Sequence, residues 1–295
     1  MNTPTRRTVL RGLTAGTATA LLAACDRREP SNPASRAMPA SASGSPVLPA
    51  SAAPASLTPG DRLRQLADTI TAEPADAKAP HAYPFSYLRS QRWDRVTMVV
   101  ARTDEAWWRA ANGSGRSDRR ILAERGDLTR MPTAAEQRKL AAARVETDLF
   151  PEPGRLAGVV PEPVPSDQTT LTAKLYEENP PENGPISLLV GICDLARAHY
   201  LNRDVRATTL RMLDTIPTLV HDKPTRDLLG RAAEQFHLDT GDQRDTILLD
   251  PRTGRLLAHQ QNVLTSPPAL FTHVLYLTAD RVARCGDVPR SRAGS

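Results

Sequence analysis

Apolar positions between residues 59 and 289 follow two periods, and the change from one to the other marks out the elements. Leu63, Leu66, Ala67 and Ile70 recur at helical spacing behind Thr58-Pro59-Gly60-Asp61, a threonine N-cap with proline in the first helical position. From Tyr83 to Trp93 aromatic and polar residues alternate, which predicts a half-buried strand. Arg95 to Ala110 reads as a second long strand, Asn112-Gly113-Ser114-Gly115 as a turn, and Arg116 to Leu122 as a third strand. Tyr83, Phe85, Tyr87, Trp93, Trp107, Trp108 and Phe150 make up seven of the twelve aromatics, so the bulkiest part of the core is expected in this half.

The helical period then returns. Thr133-Ala134-Ala135-Glu136 is a capping box ahead of Lys139 to Val145, and Ser166 is expected to cap a helix bearing Leu171, Leu175 and Tyr176. Pro185 opens a helix with Ile186, Leu189, Val190, Cys193, Ala196 and Tyr200 on one face. Asn202 caps another carrying Val205, Leu210, Leu213 and Ile216, which Pro217 stops. Short strands follow at Thr218–His221, Gly230–Leu238 and Arg244–Leu249. A hairpin turn at Asp250-Pro251-Arg252-Thr253-Gly254 leads to strands at Arg255–Val263 and Phe271–Thr278. Strands, then helices, then a β-meander predict an α+β fold, an antiparallel sheet with a helical layer packed on one face. The domain is placed at 59–289, with a disordered tail at 290–295.

Residues 1–24 break both patterns. Arg6-Arg7 precede a weakly apolar stretch from Gly12 to Ala24, too short to span a bilayer. The paired arginines resemble a twin-arginine export signal, and Leu22-Ala23-Ala24-Cys25 resembles a lipobox. Cleavage before Cys25 and acylation of its thiol would anchor the chain, two or three acyl groups being needed for stable attachment. From Cys25 to Thr58 six prolines and seven serines alternate with alanine, a disordered linker reaching about 100 Å if fully extended. The expected location is extracytoplasmic, on the outer face of the cell membrane.

Charge changes little in this picture. The formal +5 falls to +2 when Arg6, Arg7 and Arg11 leave with the signal. No basic block interleaved with aromatics remains, which disfavours nucleic acid as a partner.

Candidate chemistry is sparse. No Gly-x-Ser-x-Gly, His-Glu-x-x-His, Cys-x-x-Cys or phosphate-cradling loop occurs. The histidines at 81, 199, 221, 237, 259 and 273 are scattered singly, and those at 221, 237, 259 and 273 fall in expected strands. They read as structural, with no metal and no cofactor expected. Asp239, Asp242 and Asp245 around Gly241 read as a solvated turn, lacking the terminal glutamate of a calcium loop. Arg116, Arg119, Arg120 and Arg125 read as a solvated edge strand. Of the neighbours Trp107 and Trp108, strand alternation buries one and turns the other to the opposite face, as core or as an aromatic wall for a ligand. Trp93 carries the same two readings. Cys193 and Cys285 form an even pair that an oxidising exterior would allow to bridge, closing a loop worth about 4 kcal/mol. A buried cysteine in a helix is more often a small hydrophobe, and only a Cα separation of roughly 5–6 Å would allow the bond.

Three segments carry a family resemblance: Trp108 to Gly115, Val164-Pro165-Ser166-Asp167 with the helix Leu171 to Tyr176, and Ile247 to Leu257. Together they resemble a group of functionally uncharacterised, membrane-attached exported proteins of high-GC actinobacteria, over roughly residues 80–282. Members often carry a transmembrane helix where this chain has a lipobox. The resemblance implies a curved, half-barrel-like sheet similar to bacterial lipoprotein carriers and to the envelope regulator that binds an anti-sigma factor. The resulting expectation is a non-catalytic, lipid-anchored binding module for a hydrophobic ligand or partner segment. The alternative is a structural or regulatory envelope protein that works through surface contacts with other envelope proteins.

Overall fold

Short-range hydrogen bonding fixes where the helices begin. The computed structural model describes residues 57–289 except 77, 79, 97, 98, 125–131, 151–159, 161 and 266–268. The signal, the linker up to residue 56, the tail and the positions Arg6, Arg7, Leu22, Ala23, Ala24 and Cys25 lie outside these residues. In α1 (Pro59–Ala72) Thr58 accepts from the Asp61 amide and the Asp61 side chain answers the Thr58 amide. That capping box leaves Leu63, Leu66, Ala67 and Ile70 buried on one face. The Thr133 box starts α2 (Ala134–Ala142), which ends earlier than expected, leaving Val145 exposed beyond it. α3 (Gln168–Glu178) is capped by Asp167, one residue after the expected Ser166, because its carboxylate takes the Thr170 amide at 2.8 Å. Ile186–Ala198 forms α4, and Asn202 caps α5 (Arg203–Asp214).

The strands are β1 (Phe85–Val96), β2 (Val99–Ala110), β3 (Gly115–Glu124), β4 (Glu146–Phe150), β5 (Val220–His221), β6 (Thr225–Arg226), β7 (Ala232–Thr240), β8 (Gln243–Leu249), β9 (Leu256–Val263) and β10 (Ala269–Val282). They form one open antiparallel sheet in the order β4-β3-β2-β1-β10-β9-β8-β7-β5, with β6 also on β7. The fold class is α+β, as the order of periods predicted. Arg95 and Val96 belong to β1 rather than to the second strand. β4 and β6 carried no sequence signal: β4 is five half-exposed or exposed residues, and β6 is two. β4 covers Gly115–Arg119, so this half of β3, with Arg116 and Arg119, is not the edge its arginines suggested; Arg120 lies beyond the pairing and Arg125 outside the described residues.

The register sorts the two faces. Ser86, Leu88, Trp107, Arg109, Ile247 and His259 point to the helical layer of α1, α3, α4 and α5. Trp93, Trp108, Leu248, Ala258 and Leu275 point to the other face, where α2 takes a bond from buried Arg102 to the Glu136 carbonyl. The expectation of an aromatic-rich main core in the N-terminal half is corrected. The largest cluster joins leucines of the four helices to Phe236, Leu238, Ile247 and Leu249 of β7 and β8. The aromatics make two satellites, Tyr87–Trp108–Val282 and one around Trp93.

One irregularity shapes the centre of the sheet. The β9–β10 ladder runs from Ala269↔Val263 to Leu275↔Ala258 and stops, while β10 continues against β1 as far as Phe85↔Val282. Among the described residues Tyr276 to Val282 are therefore paired on one side alone. Cations take the carbonyls on the open side. Arg231 donates to Tyr276 at 2.9 Å and to Leu257 at 3.3 Å, Arg255 to Ala279 at 3.0 Å, and Lys78 to Arg281 at 3.0 Å.

Candidate functional site

The parting of β9 from β10 opens a cavity of about 1130 Å³ between the sheet and the helices α4 and α5. Leu189, Ile192 and Leu213 form its helical side, with Leu249 and Leu277 on the sheet. At one end Trp107 lies nearly parallel to Phe150, ring centroids 6.2 Å apart. The alternation argument holds for the tryptophans. Trp107 is half-buried and lines the cavity, whereas Trp108 is 4% exposed on the other face and donates to the Asp287 carbonyl at 2.6 Å. Trp93 is core, also on the other face, edge-on to His273.

Cations outnumber carboxylates in the cavity lining. Arg231 is tied to Asp227 and Lys78 to Asp280, while Arg255 and Arg281 both lie over the Tyr200 ring, with centroid distances of 5.8 and 5.7 Å. Beside Tyr200, His199 reaches Glu162, which also takes Arg281 and Ser86. Burial works against ionisation of Glu162, but His199 and Arg281 hold its pKa below the usual value. Burial pushes His199 down despite its bond to Glu162.

The histidines expected in strands are there, and three have carboxylate partners rather than metal ligands. His221 meets Glu234 at 2.8 Å, His237 meets Asp222 at 2.6 Å, and His259 meets Asp245 at 3.0 Å. Among the described residues no cluster of three or more His, Cys, Asp or Glu is placed to hold a metal ion.

The last pair corrects the reading of Asp245 as a solvated turn residue. Asp245 is inside β8, fully buried, and accepts from His259 Nε2, from Gln261 at 3.0 Å and from Gln243 at 2.8 Å. Cys193 of α4, which lines the cavity, is near enough to act on the His259 ring. Burial disfavours the charged ring. Cys193 and the hydrogen bond that the ring donates to Asp245 outweigh it and push the His259 pKa up to about 10. The Tyr276 hydroxyl donates to the Cys193 carbonyl at 3.2 Å, closing the group from β10.

This placement also answers the disulfide question. Cys193 and Cys285 are both free, the first buried and the second exposed. Cys193 lies on the helical side of the sheet. Cys285 follows β10 beside Arg116 and Asp118, whose side chains share the Trp108 face. The sheet separates them, so the possible bridge is not made, and Cys193 is the buried cysteine of the other reading.

No protein-family model matches the chain, and no curated protein matches it. Among solved structures it is similar to the complex of MucA and MucB from Pseudomonas aeruginosa, at 13% identity and a TM-score of 0.29. That match takes in 79% of this chain and spans 59% of the other.

Proposed function

We propose that the chain is an exported, lipid-anchored binding module whose cavity between sheet and helices takes a hydrophobic ligand. One observation carries this reading: about 1130 Å³ of space at the point where the sheet opens, with leucines, Ile192 and Trp107 on its walls. Ligand pockets are typically about 300–1,000 Å³, mainly apolar, with a few polar groups setting orientation. The polar groups here are cations at the mouth, Arg255 foremost, which suit a ligand with an anionic head.

A partner segment added as a strand to β10 is the weaker form of the same reading. Strand addition draws its affinity from free main-chain groups. The carbonyls of Tyr276, Ala279 and Arg281 already have Arg231, Arg255 and Lys78.

The anchor rests on Leu22-Ala23-Ala24-Cys25 and the export route on Arg6-Arg7. Mass spectrometry of the mature N-terminus should find an acyl adduct on Cys25. Binding is tested by titrating the purified, delipidated protein with a fluorescent fatty acid. Saturation near one ligand per chain, weakened by Trp107→Ala, is expected; no saturable binding would overturn the cavity reading.

A further inference from the structure

Six cationic side chains line the cavity among the described residues, and five of them are already paired with carboxylates. Lys78 has Asp280, Arg89 has Asp104 and Arg197 has Asp194, at 2.6, 2.9 and 3.2 Å. Arg206 meets Asp76 at 3.4 Å, and Arg231 takes Asp227. Arg255 is the sixth, and no carboxylate among the described residues is bonded to it. Its Nη1 donates to the Ala279 carbonyl, and its guanidinium lies over the Tyr200 ring. His199, also in the lining, adds no charge at or above neutral pH, because burial holds its pKa below the ordinary value. The walls thus carry one positive charge in excess, and it is fixed at Arg255. A charge held among apolar walls is costly unless paired, so this is where the opposite charge of a ligand gains most.

The same side chain has donors to spare. A guanidinium carries five N–H donors in a rigid fork. Ala279 takes one from Nη1, while Nε and Nη2 have no partner among the described residues. Those two nitrogens form an edge that grips two oxygens of one anion side by side. Arg255 therefore holds a head group without releasing the Ala279 carbonyl. Its backbone is fixed as well, its own carbonyl accepting from the Asp250 amide at 2.8 Å. Each of the other five cations would have to give up a carboxylate to do the same.

We propose that the ligand is an amphiphile with a single negative charge, its head held side-on by the Arg255 guanidinium while its chain lies on the apolar walls. This rests on the cavity reading for the chain and adds to it the charge of the head. One excess cation neutralises one anionic charge. A dianionic head such as a phosphate monoester would leave its second charge buried without a partner. A cationic head would face Arg255 itself, and an uncharged one would leave the guanidinium as it stands. A long-chain carboxylate and the phosphodiester of a two-chain lipid share the required chemistry, two equivalent oxygens carrying one charge between them.

The test loads the full, delipidated chain with phenylnaphthylamine, an uncharged probe that fluoresces in apolar cavities, and displaces it with dodecyl compounds that differ only in the head. At about pH 8 dodecyl phosphate is a dianion, its second pKa being about 6. Dodecanoate should displace the probe at concentrations about tenfold or more below dodecyl phosphate, dodecanol and dodecyltrimethylammonium, as a hydrogen-bonded charge pair implies. Dioctanoylphosphatidylglycerol, run beside them, separates the sources. Dodecanoate leading alone assigns a single-chain acid, the phosphatidylglycerol leading alone assigns a phospholipid, and both leading assign a site that reads the head whatever the number of chains. Displacement by the phosphate, the alcohol or the cation as good as that by both monoanions overturns the proposal and keeps the cavity. A probe that finds no saturable site overturns the two together. Arg255→Glu should reverse the order of dodecanoate and dodecyltrimethylammonium, whereas Arg255→Lys should keep the order with weaker binding of the anion. An unchanged order in an Arg255→Glu protein that circular dichroism shows to be folded overturns the role of Arg255. Where that variant does not fold, the order in the wild-type protein decides.

Discussion

Gly254 packs against Ile70 so closely that a Cβ added to the glycine would lie 2.2 Å from Ile70 Cδ1 and 3.0 Å from Leu210 Cδ1. The β8–β9 hairpin thus presses its turn between α1 and α5, and Gly254 at φ +63° supplies the left-handed conformation that turn requires. Gly254→Ala introduces both a strained backbone and an overpacked contact. It should cost roughly 2–4 kcal/mol in urea denaturation, the sum of αL strain and core overpacking. A loss below about 1 kcal/mol would mean that the turn moves away from the helices freely.

Arg255, next in sequence, is a different kind of support. Its guanidinium satisfies the Ala279 carbonyl, which no strand reaches. Arg255→Ala should destabilise by about 1 kcal/mol, the low end for an unpaired carbonyl because the site borders an open cavity. It should also weaken an anionic fatty acid more than the corresponding alcohol, which calorimetric titration of both ligands would register.

The adjacent tryptophans should separate cleanly. Trp108→Ala removes a buried ring, its contact with Tyr87 at 5.2 Å and its bond to Asp287, for a loss of about 3–5 kcal/mol. Trp107→Ala should cost less than about 2 kcal/mol and act on ligand affinity instead. Denaturation midpoints beside ligand titrations decide; equal stability losses would place both rings in the core.

Stability should fall on both sides of neutrality, for opposite reasons. Burial, followed by the charge of His259, pushes the His273 pKa down to about 4, from 6.5 in the unfolded chain. The unfolded state therefore protonates first, so this contribution is whole above pH 6.5 and is lost as pH falls toward 4. His199, lowered chiefly by burial, has the same sign. His259, raised to about 10, has the opposite one, a contribution whole below pH 6.5 and lost as pH rises through 10. Urea midpoints measured from pH 4.5 to 10 should show both limbs. His273→Phe should flatten the acid limb and leave the alkaline one.

The elements were legible wherever local chemistry decides them. Thr58, Thr133 and Asn202 each cap a helix with their own side chains, and Asp250 with Gly254 makes a turn whose bonds span three or four residues. Strand alternation alone assigned Trp107 and Trp108 to different faces. What escaped was set by pairing at a distance. β4 exists because β3 offers it a ladder, and Asp245 is buried because β8 and β9 bring His259 and Gln261 beside it. Three aspartates around a glycine look solvated at any spacing. One signal was available: Arg244–Leu249 was expected as a strand, and placing Asp245 and Ile247 on the same face of it would have put that aspartate inward. The Cys193–Cys285 pairing failed for the same reason, since parity of number says nothing about which side of a sheet each thiol occupies.

Because β9 leaves β10 after Leu275, the strands on either side share one spine and little else at that end. Over that stretch the sheet is completed by side chains, Arg231 on the Tyr276 carbonyl and Arg255 on that of Ala279, where a ladder would have supplied backbone amides. A side chain can be removed by one substitution and a backbone amide cannot, so this is the part of the sheet whose hydrogen bonding a point mutation can erase.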